Sequence, residues 1–466
     1  MTSAMRLGEV ADVVSGVGFP KELQGQSEGE VPVFKVGDIS NAVKSGTRYL
    51  RTSPNHLSKE AARRLAANLM PAGTTVFAKI GEGLKLNRRA VLAQPSLVDN
   101  NVMGLVPKIG VATSAYLYYF MQTVDLGALS QATAVPSVRK SDVVEISIPV
   151  PSVHRQSEIV AEIDKQFSRL DEAVANLQRV KANLKNFKTA TLSSAVEGRL
   201  VITEAEIVRR NGGRIESGDQ LLQHILDVRR NAWRSMGKYV GPETTTPAGL
   251  PNLPEGWTWA AIGVLGRDPF NTVQTGPFGA QLHNTDFTQT GVPVIAVGNL
   301  TGTGFRREGL YFVDAAKAAR LSRYDVWAGD LLFARSGATL GKVCVAPPDV
   351  ADWRMTGHIL RARLNTQLIN PEVAVYALAA LPAVRKQVFG SVRGVTRPGF
   401  NTSLLESIFI PVPPFAEQHR IVAEVDRRLS IVREVEAEVD VNLKRAMALR
   451  QAVLRAQFGV EKEGTI

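Results

Sequence analysis

The stretch ISIPVPSVHRQSEIVAEID, residues 146–164, occurs again later in the chain as IFIPVPPFAEQHRIVAEVD, residues 408–426. The two copies align without a gap, so that Gln156 corresponds to Gln418. In each copy an IxIPVP segment precedes apolar residues spaced three and four apart, which predicts a strand that leads into an amphipathic helix. We therefore expect the fold to contain one strand–helix unit twice.

The similarity extends upstream through almost the whole of each half. VPVFKVGDIS from Val31 matches VPVIAVGNLT from Val292, and PAGTTVFAKIGEGLK from Pro71 matches WAGDLLFARSGATLGK from Trp327. Further matched pairs are Gly16 with Gly276 and Phe19 with Phe278. Matches that keep their order over this length indicate a tandem duplication. We therefore predict two similar units around a pseudo-two-fold axis.

Composition narrows the class of protein. The 466 residues are 44% hydrophobic and 21% charged, which is typical of a globular protein of about three domains. No apolar run reaches the length of a membrane span, and the N-terminal stretch lacks the basic-then-apolar layout of a signal peptide. The one cysteine, Cys344, lies in the apolar run KVCVA, which predicts a buried thiol, no intrachain disulfide and a cytoplasmic protein. The net charge of +11 favours a polyanionic partner such as nucleic acid.

Each half contains a globular part followed by a long helix. We predict α+β domains at residues 1–150 and 251–412, because short β-rich runs alternate there with turn residues and brief helical stretches. Long helices are predicted at residues 151–198 and 413–460. Residues 199–250 are predicted to form a central linker with an amphipathic helix.

Two details of this organisation concern the linker and the strand after it. In the linker helix, Arg229 and Arg230 are expected on a basic face opposite Leu222 and Ile225, and we expect this helix to dock on a domain or a partner. The tryptophans of LPEGWTW, residues 253–259, have only a weak match at the start of the chain. We therefore expect the N-terminal strand of the first domain to be shorter than its counterpart.

Apolar residues recur every seven positions along both long helices. The recurring positions are Ile163, Leu170, Leu177 and Leu184 in the first helix and Val425, Val432, Val439 and Ala446 in the second. About 44 residues at 1.5 Å each give a helix of about 65 Å, longer than a small domain, so this narrow stripe requires a partner helix. Because the first helix leaves the first domain and the second helix returns, we predict that the two pair antiparallel in an intramolecular coiled coil.

The stretch ARSGATLGKV, residues 334–343, is similar to a phosphate-binding P-loop but departs from it in two ways. Its glycines are separated by three residues instead of four, and Val343 stands where a magnesium-binding Ser or Thr is needed. Its counterpart AKIGEGLKLN, residues 78–87, keeps one glycine and Lys85 as the match of Lys342. Both stretches therefore predict a turn between two strands that carries a lysine.

Other catalytic patterns are also missing from the sequence. There is no Asn-Pro-Pro-aromatic motif of the adenine methyltransferases, no clustering of histidines at metal spacing, no nucleophile triad and no nuclease set of carboxylates and lysine. The carboxylate pairs Glu162/Asp164 and Glu424/Asp426 point to different sides of a helix and are expected on its solvated surface. We predict a non-enzymatic chain with no catalytic residues, no metal site and no cofactor of its own.

Two similar domains on long helices suit a DNA target made of two half-sites. Because the domains differ in their loops, we expect the half-sites to differ in sequence, with basic loop residues contacting phosphates and bases. The candidate residues are Lys79, Lys85, Arg88, Arg89, Arg139 and Lys140 in the first domain and Arg335, Lys342, Arg393 and Arg397 in the second.

Over essentially its whole length the chain resembles the specificity subunits of type I restriction–modification systems. The resemblance is carried by IPVPxxxxQxxIVAExD in two copies, by TGPFGAQLHNTDF…GVPVIAVGNL and by LPEGWTW. It implies two target-recognition domains that bind a bipartite, asymmetric site in double-stranded DNA in the prokaryotic cytoplasm. It also implies two methyltransferase subunits that use S-adenosylmethionine, docked on the helices and on residues 199–250, and restriction subunits that use ATP and Mg.

Two alternatives stay open at this point. A self-contained DNA-modifying enzyme would bind S-adenosylmethionine as the isolated chain, although no site for it is recognisable in the sequence. A coiled-coil scaffold protein would show no DNA sequence preference even with a methyltransferase present.

Overall fold

The computed structural model describes residues 3–65, 69–130, 136–214, 216–233, 241–242, 245–302, 304–390 and 400–459. The chain forms two compact units. The first consists of Met1–Arg179 and Glu438–Ile466, and the second of Val180–Ala437. Both long helices therefore contribute residues to both units.

The first unit is built on one larger and one smaller sheet. Its strands are β1 (Ser3–Arg6), β2 (Ala11–Ser15), β3 (Val31–Phe34), β4 (Tyr49–Leu50), β5 (His56–Leu57), β6 (Thr75–Ala78), β7 (Arg89–Leu92), β8 (Leu97–Val98), β9 (Val102–Pro107) and β10 (Ser147–Val150). Its helices are α1 (Leu7–Val10), α2 (Val36–Lys44), α3 (Lys59–Arg64), α4 (Glu82–Lys85), α5 (Ser114–Met121), α6 (Lys140–Val144) and the start of α7 (Val153–Val196). The strand orders are β2-β9-β6-β7-β4 and β5-β3-β8, and β1 pairs with β10.

The second unit begins with the end of α7 and the central segment. Its other helices are α8 (Glu204–Asn211), α9 (Gly218–Ala232), α10 (Ala315–Arg320), α11 (Pro371–Ala380), α12 (Pro382–Gly390), α13 (Thr402–Glu406) and the first half of α14 (Phe415–Phe458). Its strands are β11 (Thr258–Ala261), β12 (Val273–Thr275), β13 (Val292–Ile295), β14 (Tyr311–Val313), β15 (Asp325–Val326), β16 (Leu331–Ala334), β17 (Val343–Val345), β18 (Trp353–Met355), β19 (Ile359–Ala362) and β20 (Phe409–Val412). The orders are β12-β19-β16-β17 and β14-β13-β18-β15, and β11 pairs with β20.

The two units have the same strand connectivity. The run β2-β9-β6-β7 corresponds to β12-β19-β16-β17, and each run is antiparallel throughout. In the smaller sheets, β3 and β13 each have one antiparallel and one parallel neighbour. The α+β tandem repeat predicted from the sequence is therefore confirmed.

The expectation of a shorter first strand is wrong. Strands β1 and β11 have four residues each, because each pairs along its whole length with the exit strand of its domain. Trp257 and Trp259 serve another purpose. Both are buried in the core of the second unit, where the Trp257 indole N–H donates to Glu417 Oε1 at 3.0 Å.

Apolar runs explain where the cores lie. Strands β6, β7 and β16 are buried at every position, as expected for central strands that are covered on both faces. The helices α5 and α11 cover the larger sheets and are apolar around nearly their whole circumference. Each begins at a polar cap: Thr113 Oγ1 accepts from Tyr116 N at 3.3 Å, and Asn370 Oδ1 accepts from Glu372 N at 3.1 Å.

The glutamine shared by both copies of the repeat joins each long helix to its own domain. Gln156 is fully buried; its Oε1 accepts from Thr113 N at 2.9 Å and its Nε2 donates to Val111 O at 2.7 Å. Gln418 is also fully buried, and its Oε1 accepts from Asn370 N at 2.7 Å. The same side chain therefore bonds the capping residue of α5 in one unit and of α11 in the other.

Replacing Gln156 or Gln418 with alanine is expected to lower the free energy of unfolding by about 1–3 kcal/mol, because the capping N–H is left without its acceptor. Gln178→Ala, at an exposed position of α7, is the matched control and is expected to change it by less than about 0.5 kcal/mol. Denaturant unfolding of the three variants measures the difference. Equal effects at the buried and exposed positions would contradict the assignment.

In the first unit, the end of α14 packs against the start of α7. Leu454 and Phe458 lie in the same core as Phe167, and the Phe458 ring centre is 5.0 Å from that of Tyr116. Arg450 Nη2 lies 3.0 Å from the carboxylate of Asp171. The C-terminal part of one helix therefore lies beside the N-terminal part of the other.

In the second unit, the roles of the helices are exchanged. Leu192 and Val196 at the end of α7 share a core with Ile421 at the start of α14. Lys188 Nζ lies 2.7 Å from Glu436 Oε2. Antiparallel pairing of the two helices, predicted from the sequence, is confirmed in each unit.

The residues of the predicted heptad stripe are less exposed to solvent than the other residues of either long helix. Ile163, Val425, Val432 and Val439 are buried, and Leu170, Leu177, Leu184 and Ala446 are half-buried. Most other positions along the middle of α7 and α14 are exposed, which is the pattern of a narrow helix–helix seam.

The central segment packs on the second unit. Leu222 and Ile225 of α9 are buried in its core, as expected for a docked amphipathic helix. The expectation that Arg229 lies on a solvated basic face is wrong. Its side chain is buried, and Nη1 donates to Gly266 O at 2.8 Å and to Thr272 Oγ1 at 2.9 Å. The apolar stem can pack in the core because a carbonyl and a hydroxyl of the segment before β12 accept from the guanidinium.

Two further sequence expectations concern single features. Cys344 is buried, as predicted, and burial raises the pKa of its thiol to about 12. Within the part of the chain that the structure describes, no helix is both long and apolar enough to cross a membrane.

Candidate nucleic-acid interface

Each unit has a surface where strands of the larger sheet end, which we call the strand-end surface. It comprises the residues that follow β2 and β6 and precede β9 in the first unit, and those that follow β12 and β16 and precede β19 in the second. The N–H of Lys79, directly after β6, donates to Asn101 O at 2.9 Å. The N–H of Arg335, directly after β16, donates to His358 O at 3.1 Å. These bonds place Lys79 and Arg335 at equivalent positions.

In each unit a further segment of the chain is hydrogen-bonded to the strand-end surface, through the residue that follows β6 or β16. Val138 N donates to Lys79 O at 2.9 Å, and Phe400 N donates to Arg335 O at 3.0 Å. In the first unit this brings Arg139 and Lys140, both exposed at the start of α6, next to Lys79. The corresponding candidates of the second domain, Arg393 and Arg397, lie outside the described residues.

The glycines matched in the sequence mark a close approach of two backbones at this surface. A β-carbon added to Gly16 would lie 1.9 Å from Asp99 O, and one added to Gly276 would lie 2.1 Å from Thr356 O. No side chain fits at these distances, so only glycine permits this crossing of the chain.

A cation lies over a phenylalanine in both units. Lys35 Nζ is 5.2 Å from the ring centre of Phe19, and Arg335 Cζ is 5.0 Å from that of Phe278. The two phenylalanines are a matched pair in the sequence, but Lys35 follows β3 of the smaller sheet and Arg335 follows β16 of the larger sheet. The two domains thus place different polar side chains on the same backbone framework, as expected if they recognise different DNA sequences.

Arg335 borders an open cleft of about 690 Å³ in the second unit. Its Nη1 donates to Thr275 Oγ1 at 3.0 Å, and Ser336 Oγ lies 3.3 Å from His358 Nδ1. Partial burial lowers the pKa of the Arg335 guanidinium, which nevertheless stays protonated at neutral pH.

The strand register corrects one equivalence between the two turns. The residue before β7 is Arg88 and the residue before β17 is Lys342, so these two correspond. Lys85 does not match Lys342. It lies instead in α4, where the second unit has a shorter 3-10 turn at Gly337–Thr339, and its Nζ pairs with Glu82 Oε1 at 2.8 Å. Both stretches do connect antiparallel strands, as predicted.

Arg89 stands apart from the other basic candidates. It is only 3% exposed, and its guanidinium donates to Val124 O at 2.6 Å and to Asn87 O. Burial lowers its pKa to about 10. The expectation that Arg89 contacts DNA is therefore corrected, because a guanidinium enclosed by backbone carbonyls does not reach a phosphate.

A second cleft of about 690 Å³ contains an arginine that the sequence did not single out. Arg48 Nη1 lies 3.1 Å from Asp164 Oδ1, and the Tyr119 hydroxyl donates to the same carboxylate. The expectation that Asp164 is a free carboxylate on the helix surface is therefore wrong, because Arg48 and Tyr119 of the domain bind it. The internal repeat of the sequence does not point to Arg48. The strand that follows Arg48, β4, has no counterpart in the larger sheet of the second unit as described.

The comparisons with known proteins agree on one kind of protein. Residues 3–186 match the family model of the type I restriction modification DNA specificity domain. The EcoBI specificity subunit of Escherichia coli is 20% identical, over 97% of this chain and 84% of the relative. The EcoKI specificity subunit of E. coli K12 is 19% identical, over 96% and 86%. A solved structure, described as the structural basis of complex assembly and conformational transition of the type I R-M system, is 17% identical with a TM-score of 0.62, over 99% and 98%, and has the same fold.

Proposed function

We propose that the chain is a type I restriction–modification specificity subunit, as its similarity to that family supports, and that it binds a bipartite, asymmetric site in double-stranded DNA for a complex that methylates adenine. One half-site is bound by the strand-end surface of each unit. The chain itself supplies recognition, and the chemistry belongs to its partner subunits.

The observation that carries this proposal is the pair of equivalent surfaces with different side chains. Lys79 and Arg335 occupy one shared position, and Asn101 and His358 occupy another. A shared backbone frame gives both domains the same way of approaching a duplex. Different side chains on that frame give different base preferences.

That catalysis lies in the partner subunits is part of this proposal. Across the described ranges no three His, Cys, Asp or Glu side chains are grouped to hold a metal ion. S-adenosylmethionine would be bound by two methyltransferase subunits, and ATP and Mg by restriction subunits. Cytoplasmic location stays a prediction.

The long helices are the proposed docking surfaces for the methyltransferase subunits. Away from the seam they carry exposed apolar side chains: Val441, Met447 and Leu449 in the first unit, and Phe187, Ile431 and Val435 in the second. A contact with another protein along the helices would remove these apolar side chains from water.

The test compares the chain alone with the chain plus its methyltransferase. We expect the isolated chain to bind no labelled S-adenosylmethionine, and adenine methylation of plasmid DNA to require both components. Cofactor binding or methylation by the isolated chain would favour a self-contained enzyme. Methylation without sequence preference would favour a scaffold.

A change in helix length tests whether the paired helices set the spacing of the half-sites. One heptad inserted in both α7 and α14 adds about 10 Å, or about three base pairs. We expect the number of unspecified bases between the half-sites to change while the half-sites stay the same, as mapped by sequencing methylated adenines. Altered half-sites with an unchanged spacer would refute this role.

A further inference from the structure

We propose that Arg335 determines the sequence of the second half-site by donating two hydrogen bonds to a guanine. This inference rests on the proposed function and adds to it a named residue and a named base. It follows from the way the guanidinium is fixed, from its unused donors and from the composition of the cleft it borders.

Three contacts hold Arg335 in one orientation. Its backbone is bonded to both neighbouring segments, its Nη1 donates to Thr275 Oγ1 at 3.0 Å, and its guanidinium lies 5.0 Å from the centre of the Phe278 ring. An arginine fixed in this way loses little side-chain entropy when it binds a ligand. The position is therefore suited to selecting a base and not only to attracting a phosphate.

The guanidinium keeps most of its donors. Among the described residues its side chain makes one hydrogen bond, through Nη1, so the Nε and Nη2 edge is unused. Two parallel N–H groups on one edge match O6 and N7 of guanine in the major groove, the commonest specific contact of arginine with DNA.

The described lining of the cleft beside Arg335 offers no carboxylate to its guanidinium. It includes Asn284, Tyr311 and His358, and none of the described residues that line the cleft is Asp or Glu. The cleft of the first unit differs in this respect, because Arg48 and Arg450 are paired there with aspartates. Unlike Arg48 and Arg450, Arg335 is thus both fixed and available for an external acceptor.

The prediction differs between the two half-sites, because the first unit has Lys79 at the position of Arg335. Lys79 carries a point charge on a flexible stem and lacks the planar fork of two donors. The guanine contact is therefore expected in the second half-site only, and substitution of Arg335 should leave the first half-site unchanged.

The experiment sequences methylated adenines in cells that contain the methyltransferase with wild-type chain, Arg335→Ala, Arg335→Lys or the control Arg323→Ala, an exposed arginine of the same unit. For wild type we expect a guanine at one position of one half-site. Arg335→Ala should reduce discrimination at that position about 10–100-fold, and Arg335→Lys should also weaken it although it keeps the charge. Arg323→Ala should reproduce the wild-type motif.

Each other result is decisive. A two-part wild-type motif that Arg335→Ala and Arg335→Lys leave intact would overturn the inference but not the proposed function. Weaker methylation at every site with unchanged base preference would mean that Arg335 contacts a phosphate, which also overturns it. Absence of any two-part motif for wild type would overturn the proposed function itself. If Arg335→Ala does not fold, Arg335→Lys decides alone.

Discussion

Replacing Lys79, Arg88, Arg139 and Lys140 together with glutamine is expected to reduce the slope of log affinity against log salt concentration by about 3 to 4. Each phosphate contact contributes about 0.9 to that slope, because binding releases the counterions condensed on DNA. Lys79 begins and Arg88 ends the connection between β6 and β7, and the other two residues lie beside Lys79. Arg89 is left out because its guanidinium is enclosed. Binding of the chain with its methyltransferase to target DNA, measured at several salt concentrations, gives the slope.

The control removes positive charge from α3, which lies at the end of the smaller sheet opposite to Lys35. Lys59, Arg63 and Arg64 lie on α3, which follows β5; since β5 is antiparallel to β3, α3 starts at the end of β3 away from Lys35. Their replacement should change the slope by less than about one. A slope that falls equally for both sets would show that the strand-end surface has no special part in binding.

Gly276→Ala is expected to disable the second unit. The new β-carbon would lie 2.1 Å from Thr356 O, a backbone atom that cannot turn aside as a side chain can. We expect a loss of about 3 kcal/mol or more in the free energy of unfolding, at or above the upper end for overpacked sites, together with loss of methylation. Denaturant unfolding and methylation of plasmid DNA measure the two effects.

Gly298→Ala is the matched control for this change. Gly298 lines the same cleft, but a β-carbon added there meets no atom within 4 Å. We expect this variant to have the wild-type free energy of unfolding. Should Gly276→Ala behave like Gly298→Ala, the close approach of the two backbones would not be needed for the surface.

The parts of the fold that the sequence could predict are those specified by periodicity and repetition. The two copies around Gln156 and Gln418 predicted the strand–helix units, and the heptads predicted the antiparallel helix partner. Such patterns are visible because burial of a whole face requires apolar residues at regular spacing. The structure adds the reason for the shared glutamine, which bonds the cap of a buried helix.

The parts that the sequence could not predict depend on single side chains and on register. Arg89 is as basic as Arg88, but Arg89 is the first residue of β7 and is buried, whereas Arg88 lies in the turn before this strand and is half-buried. The match of Lys342 with Arg88 required the hairpin register, because a helical turn lengthens one of the two connections. The inward position of Arg229 is hidden in the sequence for a similar reason, because amphipathic patterns do not show which long basic side chains bend inward.

The central claim is that the duplicated units recognise two separate and different half-sites. Sequencing of methylated adenines in cells with the wild-type chain and its methyltransferase tests this claim most directly. We expect one motif made of two unlike specified parts separated by a fixed number of unspecified bases. A single continuous motif, or methylation with no sequence preference, would contradict it.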